Sequence, residues 1–183
     1  KNANTFGLPA TAERFLPVHE VVELQAALRH LDGPVRILGG GSNILLTGDL
    51  PGWTIKNEIP GIRQISTEGN HAIVEVGGGV NWHELVQWTI KHDLGGVENL
   101  SLIPGCTGAA PIQNIGAYGV ELKDVFHSLD AVELATGEVR TFTAKECQFG
   151  YRDSFFKREG KGKFCITAVR LRLTTSDHPL HLE

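Results

Sequence analysis

Three consecutive glycines and a Ser-Asn pair follow an apolar run in the segment RILGGGSNILL, residues 36–46. Each glycine costs about 0.5–1 kcal/mol relative to alanine in regular structure, so a chain keeps such a run where its backbone must turn tightly or approach another group closely. Successive backbone N–H groups of a glycine loop can point into one concavity and bind phosphate, with Ser42 and Asn43 as further donors. A plain reversing turn explains the segment nearly as well, and both interpretations stay open at this point.

The two common nucleotide-binding glycine motifs are absent from this segment. A P-loop needs a lysine directly after its last glycine, and none follows here. A Rossmann turn needs a glycine at position 44 and the start of a helix, whereas Ile44, Leu45 and Leu46 predict another short apolar strand. What remains is a diphosphate held by the backbone in some other fold.

Charge and cysteine content exclude several classes of protein. The formal net charge of -4 argues against a surface that binds nucleic acid or anionic lipid. The three cysteines are odd in number and far apart, which favours a reducing cytoplasm over a disulfide framework or a zinc site. No apolar run approaches the roughly 18 residues of a membrane span. We therefore expect a cytoplasmic protein without nucleic-acid or membrane partners.

Hydrophobic periodicity predicts an α+β chain in two parts. A βαββ-like unit occupies residues 1–60, and residues 61–183 form a larger β-rich unit with short helices. The predicted elements are a helix over 19–32, strands over 35–38, 52–57, 62–66 and 71–79, a helix over 82–93 with Asn81 as N-cap, a hairpin over 129–142 with its turn at Thr136 and Gly137, one helical turn over 144–149, and a final strand over 164–173.

A neutral segment over residues 98–122 has no sustained periodicity and is rich in glycine and alanine. Small residues there, together with a second glycine cluster at 77–79, let a flat group approach the backbone, which favours the wall of a large planar cofactor. Tight packing between the two parts of the chain is the alternative. The small residues of the segment are Gly105, Gly108, Ala109, Ala110, Gly116, Ala117 and Gly119.

The segment FGYRDSFFK, residues 149–157, places an arginine among aromatic residues. The guanidinium of Arg152 is permanently charged and planar, which suits a carboxylate or developing negative charge. Taken alone, the segment slightly favours a simpler interpretation, in which Arg152 pairs with Asp153 at the surface and Tyr151 fills the core.

Histidines and cysteines show no pattern of a metal site or a nucleophile. His83, His92, His178 and His181 lack the spacing of metal ligands, so we predict no metal site. Nothing near Cys106 would activate a thiolate, and we interpret it as a small buried hydrophobic residue.

Four stretches together resemble the UDP-N-acetylenolpyruvoylglucosamine reductase family of bacterial peptidoglycan synthesis. They are NTFG at 4–7, ILGGGSN at 37–43, ENLSLIPGCTGAAPIQNIGAYGVEL at 98–122 and FGYRDSFFK at 149–157. The resemblance is nearest to the branch whose substrate domain carries an extra tyrosine-bearing loop. It implies a two-subdomain α+β FAD-binding fold of the vanillyl-alcohol-oxidase and p-cresol-methylhydroxylase type, with FAD held non-covalently and the subdomains at 1–60 and 61–183.

The same resemblance implies roles for individual residues. It assigns Arg152 to catalysis, as the residue that stabilises an enolate-like intermediate through the substrate carboxyl, and it assigns Tyr151 to the substrate pocket. The cofactor-binding residues that it implies are Ile37, Gly39, Gly40, Gly41, Ser42 and Asn43 at the pyrophosphate, and Pro104, Gly105, Gly108, Asn114, Ile115, Gly116 and Ala117 beside the flavin.

In the family, NADPH reduces FAD, a hydride then reaches C3 of the enolpyruvyl ether of a UDP-sugar, and an enzyme acid protonates C2 to give UDP-N-acetylmuramate. The family's serine acid, its glutamate and the loop tyrosine correspond to positions beyond Glu183. We therefore expect a portion of a longer protein that binds FAD at best when alone. The residues leave two rivals: another FAD oxidoreductase of this fold, or a nucleotide-binding module without catalysis. They predict no oligomeric state.

Overall fold

Three parallel strands and one helix form the first part of the molecule in the computed structural model, which describes residues 5–7 and 9–175. The strands are β1 (Ala12–Val18), β2 (Val35–Leu38) and β3 (Leu50–Asn57), in the sheet order β1-β3-β2. Helix α1 (Val21–Leu28) connects β1 to β2 and buries Leu24. The predicted βαββ-like unit is confirmed, with a helix shorter than the predicted 19–32.

The short strand predicted for Ile44, Leu45 and Leu46 is wrong. The chain between β2 and β3 is irregular, and the side chain of Leu45 is 70% exposed. Because β2 and β3 are parallel, this segment must run back along the sheet to reach the start of β3. The segment forms no ladder of backbone hydrogen bonds with a neighbouring strand, so its apolar residues do not make it a strand.

Five antiparallel strands form the second sheet, in the order β4-β5-β10-β8-β9. The predicted final strand is β10, and it lies at the centre of this sheet, paired with β5 on one side and β8 on the other. Its alternate residues Val169, Leu171 and Leu173 are fully buried in the larger core. The strand bounds are β4 (Ile62–Glu68), β5 (His71–Gly77), β8 (Phe126–Glu133), β9 (Val139–Thr143) and β10 (Phe164–Thr174).

Helix α2 (Trp82–Lys91) follows the second glycine cluster and packs Leu85 and Thr89 into the larger core. Asn81 caps it as predicted, since its side-chain oxygen accepts hydrogen bonds from the amides of His83 (2.9 Å) and Glu84 (3.3 Å). The remaining elements are α3 (Leu122–Val125), α4 (Ala144–Cys147), the short strand pair β6 (Gly116–Ala117) and β7 (Val120–Glu121), and 3₁₀ helices over Glu98–Leu100, Thr107–Gln113 and Phe155–Lys157.

The two sheets pack directly against each other. Val18 and Ile55 of the first sheet share a small core with Val132 and Cys165 of the second. Pro60 lies between β3 and β4, at the passage from one sheet to the other. The assignment of 1–60 and 61–183 as two FAD-binding subdomains stays a prediction. Among the helices of the described residues, none is both long and apolar enough to cross a bilayer.

The second glycine cluster is part of this packing. A Cβ atom on Gly77 would lie 2.3 Å from the Pro60 carbonyl oxygen, and one on Gly78 would lie 2.3 Å from the Ile166 carbonyl oxygen. On Gly79 it would lie 2.4 Å from the carbonyl carbon of Glu58. For these glycines the packing alternative is correct, because protein backbone fills the space that a side chain would need.

Candidate functional site

The first glycine cluster begins at the end of β2 and meets the segment 98–122. A Cβ atom on Gly40 would lie 2.9 Å from the Cα of Gly105, and one on Gly39 would lie 2.6 Å from the Sγ of Cys106. Gly41 adopts a φ of 67°, in the left-handed region that favours glycine. Close approach of the Gly105 backbone therefore explains Gly40, contact with the Cys106 side chain explains Gly39, and the turn explains Gly41.

The loop carries unused hydrogen-bond donors. The Gly41 carbonyl accepts hydrogen bonds from the amide of Thr5 (3.1 Å) and from its Oγ1 (3.0 Å). The Asn43 side chain donates to Oε1 of Gln113 at 3.1 Å. The backbone amides of residues 40–43 find no acceptor within the described parts of the chain. A run of such amides beside a cleft suits an anionic group.

A cleft of about 190 Å³ lies between the loop and the segment 98–122. It brings together five of the predicted site residues, from two parts of the sequence more than fifty residues apart. Its volume is below the roughly 300–1,000 Å³ of a complete small-molecule site. The predicted residues at this cleft are Ser42, Asn43, Pro104, Gly105 and Ile115, and those that the sequence did not indicate include Trp82, Ile103 and Gln113.

Ile37 and Gly39 lie at a smaller cavity of about 100 Å³, together with Gly108 and Phe156. Gly108 is buried, and a Cβ atom there would lie 2.8 Å from the Ile166 carbonyl oxygen and 2.9 Å from that of Gly78. Backbone packing accounts for this glycine. Its role in cofactor binding stays a prediction.

Tyr151 and Arg152 line a third cleft, of about 350 Å³, together with Gly116, Ala117 and Tyr118. Tyr151 is 83% exposed, so its interpretation as a core residue is wrong. The proposed surface pair is wrong as well, because Asp153 pairs with Arg158 instead. Among the described residues Arg152 has no ion-pair partner, and its guanidinium lies 6.0 Å from the centre of the Tyr151 ring.

A tight loop projects these two side chains outward. The amide of Gly150 donates to the Asp153 carbonyl (2.9 Å), the amide of Asp153 donates back (3.2 Å), and Arg152 has a φ of 49°. Asn114 holds the loop from below, since its Nδ2 donates to the Gly150 carbonyl at 3.0 Å. Its Oδ1 accepts from the Lys123 amide at 3.0 Å.

Asn114 is therefore a structural anchor at the edge of the third cleft. It is fully buried, has a φ of 43°, and uses both ends of its side-chain amide within the protein. The cofactor contact that the resemblance implies for it stays a prediction, and so do those for Gly116 and Ala117.

The sequence predicts neither a metal site nor a reactive thiol, and the surroundings of the histidines and cysteines bear on both predictions. Within the described ranges no group of three histidine, cysteine, aspartate or glutamate residues could hold a metal ion, and His178 and His181 lie outside those ranges. Burial raises the pKa of Cys165 to about 12, with a smaller effect of nearby Cys106. Cys106 itself is buried, as predicted.

The sequence matches one family model and a set of individual proteins. A family model described as an FAD binding domain matches residues 15–143. A UDP-N-acetylenolpyruvoylglucosamine reductase of Burkholderia cenocepacia is 51% identical over 173 residues, which cover 93% of this chain and 50% of the relative. One of Flavobacterium johnsoniae is 47% identical over 182 residues, covering 99% of this chain and 54% of the relative. The chain thus spans about half the length of the curated relatives it matches.

Solved structures confirm the predicted α+β flavoprotein fold. The crystal structure of UDP-N-acetylenolpyruvylglucosamine reductase (MurB) from Thermus caldophilus superposes with a TM-score of 0.69 at 28% identity, covering 90% of this chain and 56% of that one. Xylooligosaccharide oxidase from Myceliophthora thermophila C1 gives a TM-score of 0.63 at 15% identity, covering 96% and 38%, and this likeness concerns the fold alone.

Proposed function

The chain belongs to the family of FAD-binding domains, and on that premise we propose that it is the FAD-binding portion of a UDP-N-acetylenolpyruvoylglucosamine reductase. One observation carries the proposal: a glycine loop whose amides have no acceptor among the described residues packs against Gly105, beside a cleft that Ser42, Asn43 and Pro104 line. The names of relatives at 47% and 51% identity support the choice of this reductase over other flavoenzymes. Residues 1–60 and 61–183 would act as its two FAD-binding subdomains.

The residues present fit the anionic part of FAD. We assign the diphosphate to the loop Gly39–Asn43. In this loop Gly40 lies so close to Gly105 that there is no room for a side chain. Ile37, Pro104, Gly105, Gly108 and Ile115 would flank the cofactor, and Asn114, Gly116 and Ala117 would border its flavin end. When bound, FAD supplies hydride transfer from NADPH to the enolpyruvyl group.

On the substrate side we assign Arg152 and Tyr151 to the third cleft. The guanidinium has no carboxylate partner in the described structure, so it is available to the carboxyl group of the enolpyruvyl ether. A planar, permanently charged group held there would stabilise the negative charge that develops when the double bond is attacked. The product would be UDP-N-acetylmuramate, made in the cytoplasm for peptidoglycan.

A spectrum of the purified chain tests the cofactor assignment. We expect visible flavin absorption, and extraction should release intact FAD rather than FMN. A protein that stays colourless after incubation with FAD would refute the assignment. Addition of UDP-N-acetylenolpyruvoylglucosamine should then perturb the flavin bands, whereas an FAD oxidoreductase of another specificity would give no response.

A turnover assay with NADPH tests what the 183 residues do by themselves. We expect FAD binding without turnover, since the resemblance assigns the serine acid and the glutamate to positions beyond Glu183. Turnover close to that of a full-length relative would contradict this expectation.

A further inference from the structure

A lysine reaches the glycine loop from the neighbouring strand. In the parallel pairing of β2 with β3, Lys56 lies opposite Leu38, the residue before Gly39. Its Nζ donates a hydrogen bond to the Gly39 carbonyl. Lys56 is half-buried and pairs with no carboxylate in the described part of the chain.

The other cations on the strands of the first sheet are engaged elsewhere. Arg14 pairs with Asp32 at 2.5 Å, and Arg36 donates to the Pro51 carbonyl at 2.9 Å. Of the cations on those strands, Lys56 is thus the one that contacts the glycine loop, and no carboxylate among the described residues neutralises its charge.

The hydrogen bond to Gly39 also fixes a direction. A peptide unit is planar and trans, so the carbonyl of one residue and the N–H of the next point in opposite directions. Lys56 holds the Gly39 carbonyl, and the Gly40 N–H therefore points away from the strand that carries Lys56. Thr5 donates hydrogen bonds to the Gly41 carbonyl in the same manner, so the Ser42 N–H points away from Thr5.

We propose that Lys56 is a positioning residue of the diphosphate site, and that it acts in two ways. It orients the Gly39–Gly40 peptide so that the amide faces the bound anion, and its ammonium, on the opposite side of that peptide, adds a positive charge that a purely backbone loop lacks and that acts on the anion through the peptide. The ligand class is a nucleoside diphosphate or a larger molecule that contains one. The inference rests on the proposed function, in which that molecule is FAD.

Isothermal titration of three variants with FAD and with ADP tests the inference. Lys56→Met removes the donor and the charge while keeping most of the apolar stem, and we expect both ligands to bind about tenfold more weakly, as for loss of one charged hydrogen bond. Lys56→Arg should restore affinity to within about threefold, because it keeps the charge and the donors. Lys145→Met, at an exposed site on α4, is the matched control and should bind both ligands as the wild type does.

The outcomes separate the inference from the proposed function. If the wild type binds FAD and Lys56→Met binds it equally well, the inference is overturned and the function stands. If ADP binds in a Lys56-dependent way but FAD does not, the lysine keeps its role and the flavoprotein proposal fails. If neither ligand binds the wild type, both are rejected. A loss that Lys56→Arg does not restore would overturn the charge role and leave only packing.

Discussion

The two glycine clusters look alike in the sequence and have different surroundings in the structure. At Gly77, Gly78 and Gly79, protein backbone fills the space beside each Cα, at 2.3 to 2.4 Å from where a Cβ would lie. At the first cluster, the Cα of Gly105 lies 2.9 Å from where a Cβ of Gly40 would be, while Ser42 and Asn43, further along the same loop, line a cleft. A glycine run thus means close approach of protein backbone in both places, and the proposed distinction is that the first run also leads into the cleft assigned to the diphosphate.

The largest effect should come from the packed cluster. Gly78→Ala places a methyl group against the Ile166 carbonyl of β10, within the second sheet, and against the Asn57 side chain of β3, so both neighbours would have to shift. We expect the free energy of unfolding to fall by about 3 kcal/mol or more, measured by urea denaturation. A loss below about 1 kcal/mol would show that Ile166 and Asn57 do not approach Gly78 as closely as described.

Substitution in the first glycine cluster should change the affinity for the ligand. Gly40→Val would press a branched side chain against the Gly105 backbone and displace the loop to which the diphosphate is assigned, so FAD affinity should fall by about 30-fold, equivalent to about 2 kcal/mol. Gly48→Ala, in the same connection, meets nothing within 4 Å and is the matched control. Unchanged affinity in Gly40→Val would remove the distinction between the clusters.

At Asn114 the cofactor contact that the resemblance implies differs from the hydrogen bonds within the protein that the structure shows. Asn114→Ala removes one of the two hydrogen bonds that the Gly150 carbonyl accepts and also removes the side-chain acceptor of the Lys123 amide, so the free energy of unfolding should fall by about 1–3 kcal/mol. Hydrogen exchange of the amides at Gly150 and Asp153 should accelerate, while FAD affinity changes less than in Gly40→Val. A variant with native exchange and weakened FAD binding would show that Asn114 contacts the cofactor instead.

A surface site remote from both clusters should give the smallest effect. Hydrogen bonds from Thr143 and Arg140 lower the pKa of Glu146 to about 2 from its ordinary 4.5. The ionised form therefore stabilises the fold, fully above about pH 4.5, and this contribution is lost as the pH falls towards 2. In Glu146→Gln, the unfolding midpoint should depend less on pH in that window, with FAD affinity unchanged. Equal pH profiles for the two proteins would contradict the lowered pKa.

Much of the secondary structure was predictable because its signals are local. The Asn81 cap, the amphipathic spacing of α2 and the Thr136–Gly137 turn each lie within a few residues of the element that they define. The prediction was wrong at Leu45, where an apolar run has no neighbouring strand. It was also wrong for the Arg152–Asp153 pair, because Arg158 takes that carboxylate.

The sequence by itself determined the chemistry available to this protein: a bare glycine loop without a following lysine, a neutral strip of small residues and an arginine among aromatics. The tertiary structure decided which of these features contact each other and which glycines have protein atoms in the space beside them. Strand register brings Lys56 to Gly39 across 17 residues, and sheet packing closes the second glycine cluster. The physical reason is that glycine carries no side chain, so the space beside it is defined entirely by residues distant in the chain.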